Sequence, residues 1–424
     1  MHAYPCPVVF TPGPTCVTVF LRLQSAFRVF RASAGGVFCE AEPVVMTDSL
    51  FPLYPPGVSC IVHIAMMKQP QKNDLAALVK PSVRRLAAYH VDETKVRIKL
   101  DAMENPFLLP AAVRKDIAKT AGSVRINLYP DPSAKELKKA IAAQWGLNPD
   151  QMILGNGSDE LIQAIILAFG GPVLVPTPTF AMYDITSRAL AQKVLTVPLG
   201  ENFDLDADEM IGKAHSSKAK IIFLACPNNP TGNRFSDKAV KKILDSVNAA
   251  VVIDEAYFSF SGKTWLPQLA KYPDMILLRT LSKIGFAGLR IGVLAAAKTV
   301  VAELNKLRLP YNINSMSQAV GVAALKHRKV LESQISLLIS EREKLYNELQ
   351  CIDSVVAYPS ETNFILIRTE TDATRIQEKL KARGILIKNL NRPGPLKNCL
   401  RVTIGTPAEN REFLKTLKSV LDAD

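Results

Sequence analysis

RTLSKIGFAGLRIG, residues 279–292, follows a solid apolar run and holds one lysine, Lys283, among small residues and hydroxyls. Arg290 comes seven positions later. A lysine in this setting is either a surface charge or an amine held for chemistry beside an anion-binding arginine. The flanking sequence separates the two. MILLRT (275–280) and RIGVLAA (290–296) on either side, and PVLVP (172–176), KIIFLAC (220–226) and AAVVID (249–254) upstream, are apolar runs of strand length. Continuous rather than alternating apolarity predicts strands covered on both faces, as in a parallel sheet between helices.

Helical patterns fall between these runs. SDKAVKKILDSV places Ala239, Val240, Ile243, Leu244 and Val247 at helical spacing. In DPSAKELKKAIAAQW, Ser133 and Glu136 have the spacing of a capping box, ahead of Leu137, Ala140, Ile141 and Trp145 on one face. Beyond Pro310 the pattern changes. A long helical stretch over roughly 315–350 leads to TNFILIR, GILIKNL and CLRVTIG, interleaved with DATRIQEKLKAR. The expected fold class is therefore α/β, a large domain with a mostly parallel sheet flanked by helices plus a smaller α+β C-terminal domain. The expected divisions are 1–66, 67–126 (an arm and part of the small domain), 127–310 and 311–424.

The first of these divisions differs from the rest. Residues 1–67 hold no lysine, and three arginines balance three acids. The expectation is a poorly packed upstream extension not native to the protein, with Met66 or Met67 as the working start. An organellar transit peptide is the alternative, because Arg22, Arg28 and Arg31 precede the first acid. In the whole chain of 424 residues, 48% are hydrophobic and 21% charged, an ordinary globular balance. No apolar window is long enough to span a membrane. The formal charge of +13 is scattered among acids on apparent helix faces, which favours an ordinary solvated surface over a nucleic-acid interface. Seven cysteines without C-x-x-C spacing suit a reducing cytoplasm, and the histidines have no metal-ligand spacing.

Ligands of open parallel sheets bind beyond the carboxyl ends of the strands, so the residues after each run carry the chemistry. KIIFLAC is followed by PNNPTG, a rigid polar turn. AAVVID ends in Asp254, and an acid at the end of a buried strand costs desolvation unless a cation meets it. LGNGSDELIQAII sets a Gly-Ser turn at the start of an amphipathic helix, where free N–H groups and the helix dipole favour a phosphate. Together these features describe the needs of an aromatic aldehyde phosphate. It requires a lysine for a Schiff base, a carboxylate for a protonated pyridine nitrogen, donors for a phenolate oxygen, and a phosphate seat. Lys283, Asp254, Tyr257 with Asn229, and Gly157–Ser158–Asp159 with Arg290 supply them. Gly285 and Gly288 read as room for the backbone to turn between Lys283 and Arg290.

NNPTG, DEAY and SKIGFAGLRIG, in this order and spacing, resemble the pyridoxal-phosphate aminotransferases of the aspartate-aminotransferase-like fold. LDAMENPF (100–107), LYPDPSAKELKKAIA (128–142), PTPTFAMY (176–183) and CLRVTIG (399–405) narrow the resemblance to the histidinol-phosphate aminotransferase family, over about residues 70–424. The resemblance implies the type I fold of these enzymes and pyridoxal 5'-phosphate as cofactor. Lys283 is then the Schiff-base lysine and proton carrier, Asp254 the partner of the pyridine nitrogen, and Asn229 with Tyr257 the holders of the phenolate oxygen. Gly157, Ser158, Asp159, Thr280, Ser282 and Arg290 cradle the phosphate, and Tyr129 reaches it from the neighbouring subunit of a homodimer. Phe180 stands where a ring stacks on the pyridine, a place at which the family often has tyrosine. Arg401 grips the anionic group of the substrate. Lys388 stands where many members carry arginine, keeping the charge without a bidentate fork. Asn105 lines the substrate site.

The implied reaction is transfer of an amino group between L-histidinol phosphate and 2-oxoglutarate, with L-glutamate and imidazole-acetol phosphate as the biosynthetic pair. A threonine-phosphate decarboxylase, an aromatic amino-acid aminotransferase and a non-catalytic regulator on the same fold are the alternatives. The last lacks support, because the upstream segment shows no helical periodicity suited to a DNA-binding domain.

Overall fold

A computed structural model of the chain describes residues 16–23, 26–33, 75–88, 91–200 and 202–423. Residues 1–79 and 80–424 form two units. In the first, β1 (Cys16–Leu23) and β2 (Ala26–Ser33) make an antiparallel hairpin. The rest of 1–66 lies outside the described residues, and with it the expectation of an appended, poorly packed extension.

The second unit holds two sheets. One short upstream strand, β3 (Ile98–Leu100), is followed by β4 (Met152–Asn156), β5 (Val173–Thr177), β6 (Val194–Pro198), β7 (Ile221–Ala225), β8 (Ala250–Asp254), β9 (Met275–Thr280) and β10 (Ile291–Ala295). The last seven form one sheet in the order β4-β10-β9-β8-β7-β5-β6. Strands β5 to β9 run parallel, as expected of the apolar runs, while β10 runs antiparallel to both neighbours. The connection from β9 to β10, residues 281–290, is too short for a crossover, so the chain can only return alongside itself.

Successive residues of these strands feed two separate cores, as the period of two in a strand requires. Ile222, Leu224, Val251, Ile253 and Leu277 pack on one face. Phe223, Val252, Ile276 and Leu278 pack on the other. This two-sided burial is the reason the strands read as unbroken apolar runs.

The second sheet contains β11 (Val355–Ala357), β12 (Phe364–Thr369), β13 (Ile385–Asn389) and β14 (Cys399–Thr403), in the order β11-β12-β14-β13-β3. Strand β3 pairs parallel with β13, Ile98 opposite Ile385. The stretch 315–350 is two helices, Ser315–Leu325 and Arg328–Gln350. The first gives Ala324 and Leu325 to the core of the large sheet, and the second gives Leu338, Leu345 and Leu349 to that of the small one. Leu331 of the second helix still packs in the core of the large sheet, so the packing changes partners within that helix, between Leu331 and Leu338.

The capping box at Ser133 is not formed. The helix starts at Lys135 after a left-handed Ala134, and the Asp131 carboxylate accepts instead from the Ser133 and Lys135 N–H groups at 3.0 and 2.8 Å. An acid two residues before Ser133 takes the Ser133 N–H that a capping box would have given to Glu136, and adds charge complementary to the dipole. Among the described residues no helix is long and apolar enough to cross a membrane, and no group of acids, histidines and cysteines is arranged for a metal ion.

Candidate active site

The carboxyl ends of β4, β7, β8 and β9 and the turn after β5 open on one cavity of about 240 Å³. Arg290 enters it from the amino end of β10, whose reversed direction brings that end to the same edge. Ser158, Asp159, Phe180, Asn229, Asp254, Tyr257, Thr280, Ser282, Lys283 and Arg290 all line it, so ten residues scattered over more than a hundred positions converge.

Asp254 ends β8 and is 4% exposed. Its Oδ2 accepts from the Tyr183 hydroxyl at 2.8 Å and its Oδ1 from the Ala256 N–H at 3.0 Å. Burial pushes its carboxyl up to about 6; those two bonds and Lys283 pull the other way, and Asp159 adds to the rise. Lys283 lies in a 3-10 turn beyond β9. Burial lowers its amine to about 8, Arg401 and Arg290 push it further down, and Asp159 and Glu104 oppose them. Its Nζ is 5.7 Å from the centre of the Tyr257 ring.

Asn229 and Tyr257 meet at 3.4 Å, Nδ2 to hydroxyl. The other end of the Asn229 amide, Oδ1, accepts from Arg401 Nη1 at 2.6 Å, while Arg401 Nη2 donates to the Asp101 carbonyl at 2.9 Å. Arg401 thus spans the two sheets. Lys388 lies directly across from it in the β13–β14 pair. Asn105 donates to Gln334 at 3.0 Å, near Gly285 but outside the cavity lining. Tyr129 is not brought to this cavity. It is 82% exposed and stacks on Tyr311 at 4.6 Å.

The anion seat has its own geometry. Gly157 precedes the helix Ser158–Phe169 with a φ of +84°, and its N–H donates to the Arg290 carbonyl at 2.7 Å. Thr280 and Ser282 hydroxyls bond each other at 2.9 Å beside it. Arg290 Nη2 stands 3.4 Å from Asp159.

The family model for aminotransferase class I and II matches residues 95–417. Histidinol-phosphate aminotransferase 2 of Nitrosococcus oceani is 42% identical over 354 residues, which are 82% of this chain and 98% of that one. The chain belongs to the histidinol-phosphate aminotransferase family. A crystal structure of histidinol-phosphate aminotransferase from Sinorhizobium meliloti in complex with pyridoxal-5'-phosphate superposes with a TM-score of 0.74 at 24% identity, covering 81% of this chain and 97% of that one. An L-threonine-O-3-phosphate decarboxylase from Porphyromonas gingivalis superposes at 0.68 and 23% identity, covering 77% and 99%. These two likenesses establish the type I fold, while the assignment within it rests on the sequence relatives.

The enzyme is a pyridoxal-phosphate-dependent aminotransferase, and its residues fit that cofactor. The cavity pairs a buried carboxylate with a half-buried amine of lowered basicity. It also has a helix start whose Gly157 leaves room that a Cβ would take from Arg290 Nη2, at 2.6 Å. Three features of the aminotransferase escaped the sequence reading. Tyr183, wholly buried and stacked on Phe223 at 4.5 Å, anchors Asp254. The signal was PTPTFAMY, where only Phe180 was singled out. We expect Tyr183→Phe to weaken cofactor binding by about tenfold, the worth of one bond to a charged group, as read by equilibrium dialysis.

Glu255 of DEAY forms a buried ion pair with Arg279 at 2.9 Å and also accepts from Thr264, joining β8 to β9 behind the cavity. Gly292 is the third. A Cβ there would lie 2.5 Å from the Gly157 carbonyl carbon and the Ser158 nitrogen, so β10 touches the Gly157–Ser158 turn only because this residue has no side chain. Gly292→Ala is expected to destabilise the fold by about 1–3 kcal/mol, seen as a lower urea midpoint, and to loosen the cofactor as well. Gly285, at a φ of +115°, does provide the turn assigned to it. At Gly288 a Cβ would meet nothing, so no close approach demands glycine there.

Proposed function

We propose that this enzyme exchanges the amine of L-glutamate with imidazole-acetol phosphate, giving L-histidinol phosphate and 2-oxoglutarate in histidine biosynthesis. Relatives of that name at about the full length of this chain's body support the reading. The observation that carries it in the site is Arg401. It is buried behind the cavity lining, fixed by two hydrogen bonds, one of them to the lining residue Asn229, and set across from Lys388, which would bring two cations to bear on a phosphate or carboxylate.

The bound cofactor supplies a carbonyl for the amine and a ring that accepts the electron pair of a deprotonated carbon. Lys283 Nζ would take the proton from the substrate Cα and give it back at the cofactor's former carbonyl carbon, on the other side of the transferred nitrogen. A basicity brought near neutrality suits that two-way transfer. Asp254 holds a proton at the ring nitrogen, with Tyr183 and the Ala256 N–H fixing its orientation. Asn229 and Tyr257 donate to the phenolate oxygen, and Arg401 on Oδ1 turns the Asn229 amide so that its N–H end faces inward. Ser158, Asp159, Thr280, Ser282 and Arg290 would hold the phosphate, with Gly157, whose N–H is bonded to Arg290, shaping the turn beneath it, and Phe180 would stand against the ring. Asn105 borders the substrate.

The exposed Tyr129–Tyr311 stack, with Leu309 and Ile126 also exposed, supports a homodimer in which Tyr129 completes the phosphate seat of the partner. Placement in the cytoplasm accords with free, buried Cys226 and Cys399.

The test is stoichiometric. Histidinol phosphate and 2-oxoglutarate incubated with enzyme should yield one glutamate per histidinol phosphate consumed. Carbon dioxide from phosphothreonine, with no glutamate formed, would assign the decarboxylase reaction instead. Preference for aromatic amino acids over histidinol phosphate would assign the aromatic aminotransferase.

A further inference from the structure

A second cavity, of about 280 Å³, lies between the helix Lys135–Trp145, the start of β4, the helix Lys298–Asn305 and the segment 305–313. It has no lining residue in common with the active site. Lys138, Lys298 and Arg308 line it, with Asp150 as its single carboxylate. Asp150 is taken by Lys298 at 3.2 Å, which leaves two positive charges without a carboxylate at ion-pair distance among the described residues.

These two cations are not loose surface groups. Arg308 is held by the Asn305 side chain at 2.9 Å, the Pro132 carbonyl at 2.7 Å and the Asn312 side chain at 3.2 Å. All these acceptors are neutral, so they fix the guanidinium without cancelling its charge. Lys138 is half-buried, and its amine is held below the usual lysine range first by burial and then by the Arg308 charge, with Asp150 opposing. Two like charges facing one cavity repel, and a bound anion removes that cost.

We propose that this cavity is a binding site for a phosphate group, distinct from the active site, in which Lys138 and Arg308 supply the charge. The charge count selects the class. The lining carries three cations against one carboxylate, a surplus of two that matches a dianion, with Asp131 outside the lining the further carboxylate that feels Arg308, and Arg308 Nη2 is the end of the pre-fixed guanidinium that can meet an oxygen. The same residues connect the cavity to its surroundings. Arg308 bonds the carbonyl of Pro132, and Gln318 that of Asp131 at 2.9 Å, both in the LYPDP stretch that carries Tyr129. Asn312 bonds the Leu154 carbonyl at 3.0 Å, on the strand that leads to Gly157.

Free phosphate and a phosphate ester share this chemistry, so both are probes. The holoenzyme, its cofactor fixed by borohydride, is titrated calorimetrically with inorganic phosphate and with glycerol phosphate in chloride buffer of constant ionic strength. Wild type and the neighbouring control Lys139→Gln should show the same binding. Lys138→Gln should bind at least about tenfold more weakly at this site, and Lys138→Arg should recover it. Turnover of unreduced Lys138→Gln in phosphate-free buffer should equal that of wild type, which shows that the fold is kept. Binding of the ester alone identifies a phosphate-bearing metabolite as the ligand, and binding of both admits the free ion. Identical titrations of wild type and Lys138→Gln with both probes overturn the proposal.

Discussion

Lys283→Ala is expected to lower turnover by at least about 10⁴-fold, because in the proposed mechanism the side chain serves twice, as reacting amine and as proton carrier. Its position at the mouth of β9 explains why no neighbour substitutes for it. Arg290 and Arg401, the cations whose fields lower its pKa, carry guanidinium groups that only donate and so cannot accept the proton. Binding of histidinol phosphate should survive the change, since Arg401 and Lys388 are untouched. The same lysine sets a pH dependence. Its amine is reactive when neutral, and its pKa near 8 makes the neutral form dominant only above that value. The rate at which cofactor-free protein captures pyridoxal phosphate should therefore rise through about pH 8 and level off above it. A rate still climbing toward pH 10 would mean that burial does not tune this amine.

Asp254→Asn has the second largest expected effect. The carboxylate is buried, and its partners are a hydroxyl, a backbone N–H and, with the cofactor bound, a protonated ring nitrogen. An amide leaves the ring proton without its countercharge in a dry site. Breaking one side of a buried charged pair costs about 3–5 kcal/mol, or roughly 10²–10⁴-fold in kcat and cofactor affinity together. The amide oxygen can keep the Ala256 N–H while the amide NH2 donates to the Tyr183 hydroxyl, so the fold should stand and the midpoint of urea unfolding should hardly move. A variant that lost stability as severely as activity would make Asp254 a structural residue.

The large sheet was legible because its strands are buried on both faces, so each of MILLRT, KIIFLAC and AAVVID forms a run that no surface helix would tolerate. The reversal of β10 was not, since apolarity carries no direction; only the shortness of residues 281–290 points to it. Likewise, Ser133 had the right spacing for a cap, yet Asp131 wins by position and charge. At the site, the reacting groups stood out because amines, acids and arginines at strand ends are costly without a task. Tyr183 and Gly292 did not stand out. A buried tyrosine reads as core, and the need for glycine at 292 comes from a backbone contact with Gly157 and Ser158, more than 130 positions away. Lys388 and Arg401 were named separately, but their adjacency is a matter of strand register.

The most direct test is chemical trapping. The purified holoenzyme, reduced with borohydride and digested, should carry one pyridoxyl group per chain, on the peptide containing Lys283 and on no other. A pyridoxyl group on a different lysine, or none with the enzyme still active, would contradict the assignment of this cavity and of the residues around it.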